Sequence, residues 1–250
     1  MYKYVRDAHP EAYRTTEAFM VLISIITPVL NEEEVIQLFL DNLAQLQGAF
    51  ELIFVDGGSS DATCTVIRQH MGIFPAPVNL LSAPKGRSTQ MNTGAAAAQG
   101  EILLFLHVDC EIPADSLQVI TQASKGPGVC GGAFTHSFGE PGLFHAVIFN
   151  LVNTFAKYTQ TFFGDFGIFV KRDVFFQVGG FEIIPFCEDL EFSRSARRFG
   201  SMVQINRVIR SSPRRIQRIG RAKLTAVYIL ATGLNIFGIR PLFLKRYIVD

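Results

Sequence analysis

The sequence predicts an α/β protein whose mostly parallel sheet is covered by helices on both faces. Residues 102–106 are five consecutive apolar residues, a pattern typical of a strand buried on both sides. Strand-like and helix-like segments alternate through the first half of the chain. Hydrophobic residues make up 48% of the 250 residues and charged residues 18%, so the chain can bury a sizeable core and does not belong to the disordered class.

The first half of the chain is predicted to consist of repeated strand–helix units. Its strands are expected at residues 21–27, 51–55, 79–82 and 101–108, and its helices at 32–46, from 61 to about 71, and at 88–99. The helix over 32–46 has apolar residues at helical spacing, an acidic first turn that the helix dipole favours, and Gly48 at its end. Repeated units of this kind imply parallel strands joined by right-handed crossovers.

The second half is less regular, and its elements are assigned one by one. An extended segment is expected at 128–137, helices at 144–158, 172–178 and from 187 to about 199, and a partly extended Gly- and Phe-rich segment at 161–170. The chain is accordingly divided into a weakly ordered N-terminal extension (1–20), a main domain (21–216) and a basic, apolar, helical C-terminal extension (217–250).

Composition excludes several classes of protein. A net charge of +1 provides no electrostatic basis for binding nucleic acid. Residues 1–19 contain no apolar stretch of the kind that a signal peptide needs. The cysteines have neither a CxxC pair nor metal-ligand spacing, which favours buried, reduced thiols in a cytoplasmic protein (Cys64, Cys110, Cys130, Cys187).

The first strand-to-helix turn argues against a nucleotide site built on glycines. Residues 27–32 read Thr-Pro-Val-Leu-Asn-Glu, whereas a dinucleotide-binding turn needs glycines so that the backbone can approach the pyrophosphate. The chain also lacks a GxxxxGK[ST] loop. We therefore expect this sheet to bind its ligand through acids and a metal ion.

Two aspartates, Asp56 and Asp109, end predicted strands. The carboxyl ends of parallel strands form the edge at which open α/β sheets bind ligands. An acid at that edge is costly unless its charge is offset, and a metal ion or a cationic ligand is the usual partner. Each aspartate has a simpler interpretation as the cap of the next turn, since aspartate is favoured in turns. The functional interpretation of Asp56 is an acceptor of hydrogen bonds from a nucleoside.

Five segments, taken together, resemble the family 2 glycosyltransferases of GT-A fold. They occur in the order and spacing of that family across roughly residues 21–215: Ser24–Glu32, Val55–Thr63, Gly86–Ala95, Leu106–Asp109 and Phe186–Asp189. The third segment and the His-x-Asp form of the fourth are similar to a bacterial branch of small members, some of them linked with radical-SAM or arsenosugar pathways. The resemblance implies a three-layer GT-A fold with a mostly parallel mixed sheet, followed by the helical extension.

The resemblance also implies a donor site. Asp56 would hold the base or ribose of a nucleotide-sugar, in a pocket also shaped by Pro28, Asn31 and Glu32. Asp109 matches the last acid of the family's DxD motif, which binds a divalent ion, Mn²⁺ or Mg²⁺, between the donor's phosphates. Arg87 lies where a guanidinium can meet the diphosphate in bidentate geometry.

On the acceptor side, the resemblance assigns the base. Asp189, in the pair Glu188–Asp189, matches the carboxylate that takes a proton from the acceptor hydroxyl. Gly132 and Asp165 correspond to loops that line the acceptor. A base and a leaving-group site on opposite faces of the sugar imply direct displacement with inversion. The alternative for the acidic pair is a helix N-terminus stabilised by the dipole.

This chain departs from the family pattern at two places. His107 stands where a full DxD motif has its first acid; we favour a role other than metal ligand, because Mg²⁺ and Mn²⁺ prefer oxygen. Residues 212–218 occupy the place of the family's basic, aromatic-containing motif but have no Trp. Phosphate contact by Arg214 or Arg215 and a solvated basic face are both open there.

The apolar segment 224–239 has 16 residues, fewer than the roughly 20 that a membrane-spanning helix needs. Basic residues around it make residues 221–246 a candidate for peripheral contact with anionic lipid at the inner face of the membrane. The alternative is a helix that packs on the main domain or on a second subunit. The many phenylalanines of residues 134–192 either line a site for a lipid-linked acceptor or belong to the core.

The sequence therefore predicts a metal-dependent, inverting glycosyltransferase that uses a nucleotide-diphosphate sugar, with UDP as the expected carrier. Two alternatives are a nucleotidyltransferase acting on a sugar phosphate and a non-catalytic sugar-nucleotide binder associated with a membrane. The first of these normally has a Gly-rich, basic loop after strand one, and residues 31–34, Asn-Glu-Glu-Glu, have the wrong charge for that.

Overall fold

The computed structural model describes residues 22–137, 143–212, 220–236 and 239–240. Within them, one eight-stranded sheet has the order β3-β2-β1-β4-β7-β6-β8-β5. Its strands are β1 (Ile23–Val29), β2 (Phe50–Asp56), β3 (Val78–Ser82), β4 (Ile102–Phe105), β5 (Cys110–Glu111), β6 (Val129–Ser137), β7 (Ile168–Lys171) and β8 (Ser201–Ser211). Strands β1 to β4 are mutually parallel, β7 is antiparallel to β4 and β6, and β8 is parallel to β6. The predicted mixed, largely parallel sheet is confirmed.

Helices cover both faces of this sheet. They are α1 (Ile36–Leu43), α2 (Thr63–His70), α3 (Arg87–Ala97), α4 (Ser116–Ser124), α5 (Leu143–Thr159), α6 (Arg172–Val178), α7 (Glu188–Ala196) and α8 (Arg221–Ile236), with a 3₁₀ turn at Gly164–Phe166. Residues of α1, α2 and α4 form the core on one face, and residues of α3 and α5 to α8 form it on the other. Alternation along β2 divides its side chains between the two cores: Leu52 and Phe54 face the first, Ile53 and Val55 the second.

The elements predicted for residues 21–108 are present, with one change at the site, whereas β5 and α4 were not predicted. The strand that was expected to run through Val108 ends at Phe105, so Asp109 does not end a strand. It lies in the turn between β4 and the short strand β5. Beyond Phe105 only the Leu106 N–H still bonds β1, at the carbonyl of Ile26 (3.0 Å). The apolar run continues into a buried loop, and composition alone does not distinguish that loop from a strand.

Strand β8 was not anticipated from the sequence. Its ladder with β6 shifts register between Phe134 and Thr135, which pair with Ile205 and Val208. An irregularity of this kind interrupts the alternation of buried and exposed side chains by which a strand is recognised. The C-terminal helix α8 packs through the buried residues Val227 and Ala231 onto the core of the main domain. None of the helices in the described part of the chain has the length and apolarity needed to cross a membrane.

The cysteines agree with the prediction of reduced, buried thiols. All four are free, and Cys110, Cys130 and Cys187 are buried. Burial raises the pKa of the Cys110 thiol well above its ordinary value, as the nearby Asp109 carboxylate also does. The predicted N-terminal extension lies outside the described residues, as do residues 213–219 with Arg214 and Arg215.

Candidate active site

The first structural feature of the site is a buried amide at the ends of β1 and β2. Gln90 of α3 donates from Nε2 to the carbonyl oxygens of Val29 (2.9 Å) and Val55 (2.7 Å). Its Oε1 accepts from the Gly86 N–H at 3.4 Å. One buried side chain thereby fixes α3 against the last residues of two parallel strands. Gln90 lies in the segment Gly86–Ala95 that carries part of the family resemblance, but no role was predicted for it, because a lone glutamine in a helix is ordinarily solvated.

Asp56, the last residue of β2, is buried and ionised. Both oxygens accept hydrogen bonds from backbone N–H groups of the following turn, from Gly58 at 3.1 Å and from Ser59 at 3.0 and 3.2 Å. Burial opposes ionisation, but the bonds from Ser59 and Gly58 prevail and lower the pKa of the carboxyl. The cap that was considered as a local alternative is therefore present. It also holds a negative charge at the carboxyl edge of the sheet.

The loop after β1 is joined to the loop after β2. The Asn31 N–H donates to Ser59 Oγ (2.9 Å), and Asn31 Oδ1 accepts from the Ser60 N–H (2.8 Å). The Glu32 N–H donates to Thr63 Oγ1 (2.7 Å). Asn31 has a φ of +55°, a left-handed conformation that asparagine adopts more readily than most residues. These bonds occupy the turn before α1, which is why the helix begins at Ile36 and not at Glu32.

Pro28 lies in β1 beyond the last residue that pairs with β4. The β1–β4 ladder ends at Ile26↔Phe105, and Gly57 N–H bonds the Val29 carbonyl on the β2 side. Since successive residues of a parallel strand bond to alternate sides, Pro28 faces the side where β4 has ended. The missing N–H therefore costs no ladder bond there. Pro28, Asn31 and Glu32 thus follow one another at the same sheet edge as Asp56.

Arg87 and Glu188 connect the two halves of the site. Arg87 is the first residue of α3, and its Nη1 lies 3.3 Å from Oε1 of Glu188, the first residue of α7. The arginine side chain is 40% exposed, whereas the glutamate is 5% exposed. The pair brings the predicted diphosphate-binding residue next to the predicted acidic pair, although 101 residues separate them along the chain.

Asp189 is a buried acid with a raised pKa. Its Oδ2 accepts from the Gly164 N–H and its Oδ1 from its neighbour's N–H, that of Leu190 (2.8 Å). Burial, reinforced by the adjacent Glu188 carboxylate, raises the pKa of Asp189 to about 7, against the opposing effects of Arg87 and these hydrogen bonds. A carboxyl of this kind changes its protonation state near neutral pH, which is the property that a general base requires.

His107 and Asp189 meet at Gly164. A Cβ added to Gly164 would stand 2.5 Å from His107 Nε2 and 3.3 Å from Asp189 Oδ2. The two side chains therefore approach the same α-carbon, and only glycine leaves room for both. His107 thus lies close to Asp189 of α7. In the described part of the chain, no group of three His, Cys, Asp or Glu side chains is arranged to hold a metal ion.

The two predicted acceptor-side residues have different positions. Asp165 is buried in the 3₁₀ turn, directly after Gly164, and so lies beside Asp189. Gly132 lies inside β6 and not in a loop. A Cβ on Gly132 would stand 2.0 Å from the Val203 carbonyl oxygen and 2.7 Å from Cζ of Phe169. Gly132 is therefore explained by the close approach of β7 and β8 on either side of β6. The expectation that Gly132 lies in a loop is wrong.

The site geometry can be compared with known proteins. A family model described as glycosyl transferase family 2 matches residues 24–180, more than half of the chain. The chain belongs to glycosyl transferase family 2. The match contains Asp56, Arg87 and Asp109 of this family 2 protein, whereas Glu188 and Asp189 follow it.

Curated relatives of this family 2 protein include transferases that act on lipid carriers. The undecaprenyl-phosphate 4-deoxy-4-formamido-L-arabinose transferase of Photorhabdus laumondii is 26% identical over 160 residues, which are 60% of this chain and 48% of that protein. The chain thus spans about half the length of the curated relatives with this name.

Solved structures show the same fold. A mannosyltransferase from Pyrobaculum calidifontis, in complex with GDP-Man and Mn²⁺, has a TM-score of 0.69 and 22% identity, covering 92% of this chain and 69% of that one. Glucosyl-3-phosphoglycerate synthase from Mycobacterium tuberculosis, in complex with Mn²⁺, UDP and glucosyl-3-phosphoglycerate, has a TM-score of 0.58 and 19% identity, covering 88% and 81%. The GT-A fold of this family 2 protein is the one that its sequence predicts.

Proposed function

We propose that this family 2 chain transfers a glycosyl group from a nucleotide-diphosphate sugar to an acceptor hydroxyl, by direct displacement with inversion. The observation that carries the proposal is the buried Asp189 carboxyl, whose pKa is raised to about 7 beside Arg87 and Gly164. Solved structures of the same fold contain GDP-Man or UDP, which supports a nucleotide-sugar donor. UDP is the carrier that we expect.

The base role of Asp189 follows from its surroundings. With Oδ2 and Oδ1 oriented by the N–H groups of Gly164 and Leu190, the carboxylate has a set direction before an acceptor arrives. Deprotonated, it accepts the proton of the acceptor hydroxyl as the hydroxyl oxygen bonds to the anomeric carbon and the bond from that carbon to the nucleoside diphosphate breaks, so that the nucleoside diphosphate leaves. The Glu188 carboxylate raises the basicity of its neighbour and holds the Arg87 guanidinium. Asp165, buried next to Gly164, is proposed to contact the acceptor.

Donor binding is proposed for the opposite part of the same edge. Asp56 would accept hydrogen bonds from the base or ribose, with Pro28, Asn31 and Glu32 forming the adjoining wall. Arg87 is 40% exposed and is free to turn part of its guanidinium towards a diphosphate while the buried Glu188 retains it nearby. Before donor binding, the ion pair with Glu188 offsets the buried carboxylate.

Asp109 fits the metal that the family implies. The Asp109 side chain is partly exposed in the turn before β5. Within the described residues, it does not belong to a group of three His, Cys, Asp or Glu side chains that could hold a metal ion by themselves. Mg²⁺ and Mn²⁺ accept such a site because one carboxylate, substrate phosphates and waters complete an oxygen shell. A divalent ion held there would stabilise the charge of the diphosphate leaving group. His107 Nε2 lies against Gly164 and close to Asp189, which supports its assignment as a residue other than a ligand.

Most of the described phenylalanines of residues 134–192 belong to the core, although Phe176 is exposed. Phe162, Phe163, Phe166, Phe175, Phe181 and Phe192 are buried members of one core cluster. Exposed apolar residues lie elsewhere, on α5 (Val147, Leu151, Tyr158) and on α8 (Ile229, Leu230). Arg240, just after α8, is paired with Glu182 at 2.8 Å and so attaches this end of the chain to the loop before α7.

We propose that this exposed face of α5 and α8 brings the chain to the inner face of the membrane, where a lipid-linked acceptor is available. Relatives named for undecaprenyl phosphate support such an acceptor. Flotation with vesicles of neutral and of anionic lipid tests it. Wild type should float with anionic vesicles, and Leu151→Ser with Leu230→Ser should abolish flotation. Equal flotation of both proteins would contradict the proposed surface.

Calorimetric titration with UDP, with and without Mn²⁺, followed by a screen of nucleotide-sugars for hydrolysis, tests the donor site. Binding of UDP that Mn²⁺ strengthens is expected. Absence of UDP binding would contradict the donor site altogether, and binding without any turnover would favour a non-catalytic binder. Release of pyrophosphate from a nucleoside triphosphate and a sugar phosphate would instead identify a nucleotidyltransferase.

Asp189→Asn tests the base. The substitution should abolish sugar transfer while UDP affinity is retained, and wild-type rates should fall as the pH drops below about 7, the pKa of Asp189. Full turnover of Asp189→Asn would remove the residue from this role.

A further inference from the structure

A buried polar cluster lies behind the site and takes no part in the chemistry proposed above. His136 of β6 is 2% exposed, and Ser211, the last residue of β8, is 5% exposed. A hydrogen bond of 2.9 Å joins His136 Nε2 to Ser211 Oγ. Cys110 Sγ lies 3.5 Å from the same hydroxyl oxygen.

On one side, this cluster contacts the turn that carries Asp109. Ser211 pairs with Cys110 in the antiparallel β5–β8 ladder. The Ser212 N–H donates to the Asp109 carbonyl oxygen at 2.9 Å, and the Cys110 N–H closes the turn at the His107 carbonyl (3.0 Å). The end of β8 therefore determines where the main chain of Asp109 lies.

On the other side, the cluster contacts the turn that carries the acceptor-side groups. The His136 ring stacks on Phe166, with centroids 5.0 Å apart and planes at 25°. Phe166 ends the 3₁₀ turn in which Gly164 donates to Asp189 and Asp165 is the middle residue. The imidazole thus contacts the 3₁₀ turn directly and is connected to the Asp109 turn through Ser211.

The backbone of His136 is itself held in place. Its N–H donates to Asn153 Oδ1 and its carbonyl oxygen accepts from Asn153 Nδ2, both at 2.9 Å. Gln204 Nε2 of β8 also donates to Asn153 Oδ1 (2.9 Å). The ring is therefore supported by β6, α5 and β8 together, which makes it a rigid point between the two turns.

We propose that His136 and Ser211 are positioning residues, which set the Asp109 turn at a defined place relative to the turn of Gly164 and Asp165. The inference rests on the proposed function, since it assigns the metal to Asp109 and the base to Asp189. Groups that act on one substrate from two sides must be held to a fraction of an ångström, and outer residues commonly provide that rigidity. Loss of the Ser211 hydroxyl would keep the backbone bonds of the Asp109 turn but would remove the side-chain link between Cys110 and the His136 ring, without touching donor or metal directly.

The test compares Ser211→Ala with two related variants. Ser211→Thr keeps the hydroxyl and is the conservative rescue. Thr135→Ala is the matched control, because Thr135 lies beside His136 on β6 and its Oγ1 donates to the Ile205 carbonyl (3.0 Å) in the same pair of strands. His136→Gln removes the ring from Phe166 and serves as a second variant should Ser211→Ala fail to fold.

UDP affinity is measured by calorimetry with and without MnCl₂, and urea unfolding is recorded for every protein. Ser211→Ala and His136→Gln should reduce the gain in UDP affinity that Mn²⁺ provides by about 10-fold, the lower end of effects known for outer residues at metal sites. Their metal-free UDP affinity should not change, and Ser211→Thr and Thr135→Ala should keep the gain. A merely structural role would lower both affinities together.

The inference would be overturned if folded Ser211→Ala or His136→Gln showed the same Mn²⁺-dependent increase in UDP affinity as wild type. It would also be overturned if Thr135→Ala lost this increase to the same extent. If wild type itself binds UDP without any gain from Mn²⁺, the metal role of Asp109 in the proposed function fails first, and the positioning role falls with it.

Discussion

Replacing Asp189 with asparagine should change how stability depends on pH. Burial and the Glu188 carboxylate raise the pKa of Asp189 to about 7 in the folded protein, against about 3.9 for aspartate in an unfolded chain. The folded state therefore binds the proton more tightly. The resulting stabilisation is complete below pH ~4 and is lost as the pH rises through about 7, since the ionised carboxylate is the unfavourable form.

The size of the effect follows from that difference. About 3 pKa units correspond to about 4 kcal/mol in total, of which roughly 3 kcal/mol falls between pH 5 and pH 8. Asparagine does not titrate, so wild type should lose roughly 3 kcal/mol more stability than Asp189→Asn over this interval. Asparagine also offers one acceptor where Asp189 accepts from both Gly164 and Leu190. That loss of stability is the same at pH 5 and at pH 8, so it cancels when the change in stability between the two pH values is compared for the two proteins.

Urea unfolding at pH 5 and pH 8, in metal-free buffer, measures this difference. Asp173→Asn is the matched control, because Asp173 lies in the first turn of α6 and its Oδ1 accepts from its neighbour's N–H, that of Val174 (2.8 Å), as Asp189 Oδ1 does from Leu190. Asp173 is exposed, so its variant should follow wild type. If wild type and Asp189→Asn lose equal stability between pH 5 and pH 8, the buried, proton-accepting carboxyl is refuted, and with it the main argument for the base.

Three further predictions concern single positions. Asp109→Asn should remove the effect of Mn²⁺ on UDP affinity in calorimetry while the urea midpoint stays unchanged; a retained effect would place the metal elsewhere. Gln90→Leu should lower the free energy of unfolding by about 1–3 kcal/mol, because the buried Val55 carbonyl loses the Gln90 donor while the Val29 carbonyl keeps the Gly57 N–H; a loss below about 0.5 kcal/mol in urea would contradict this role of Gln90. Gly132→Ala should lower the free energy of unfolding by more than about 3 kcal/mol, since its Cβ would meet the Val203 carbonyl oxygen. Gly233→Ala has nothing within 4 Å of its Cβ and should leave the melting temperature unchanged or slightly raised. Comparable melting temperatures for these two glycine variants would contradict the close packing of β6.

Much of the fold was predictable because its signals are local. Alternating strands and helices in residues 21–108 are recognised from apolar periodicity, and their parallel arrangement follows from the crossover length. Strand β8 was not recognised, because its register shift at Ile205 and Val208 interrupts that periodicity. Gly132 was assigned to an acceptor loop through the family resemblance, although it lies in the predicted extended segment 128–137; in the structure it permits two neighbouring strands to approach closely.

The sequence by itself determined the family, the class of fold and most of the acids at the carboxyl edge of the sheet. Motif order, strand-ending residues and the absence of a glycine cradle are properties of short stretches of chain, and they are present before folding. Asp56 and Asp109 could therefore be named without a structure.

Only the tertiary structure decided what those residues do to one another. Arg87 meets Glu188 across 101 residues of chain, Gln90 joins the ends of two strands, and Gly164 separates His107 from Asp189. The pKa of Asp189 depends on how completely folding removes water from its carboxyl and on the charges then placed beside it. Desolvation and long-range contact are created by packing, and no local pattern in a sequence encodes them.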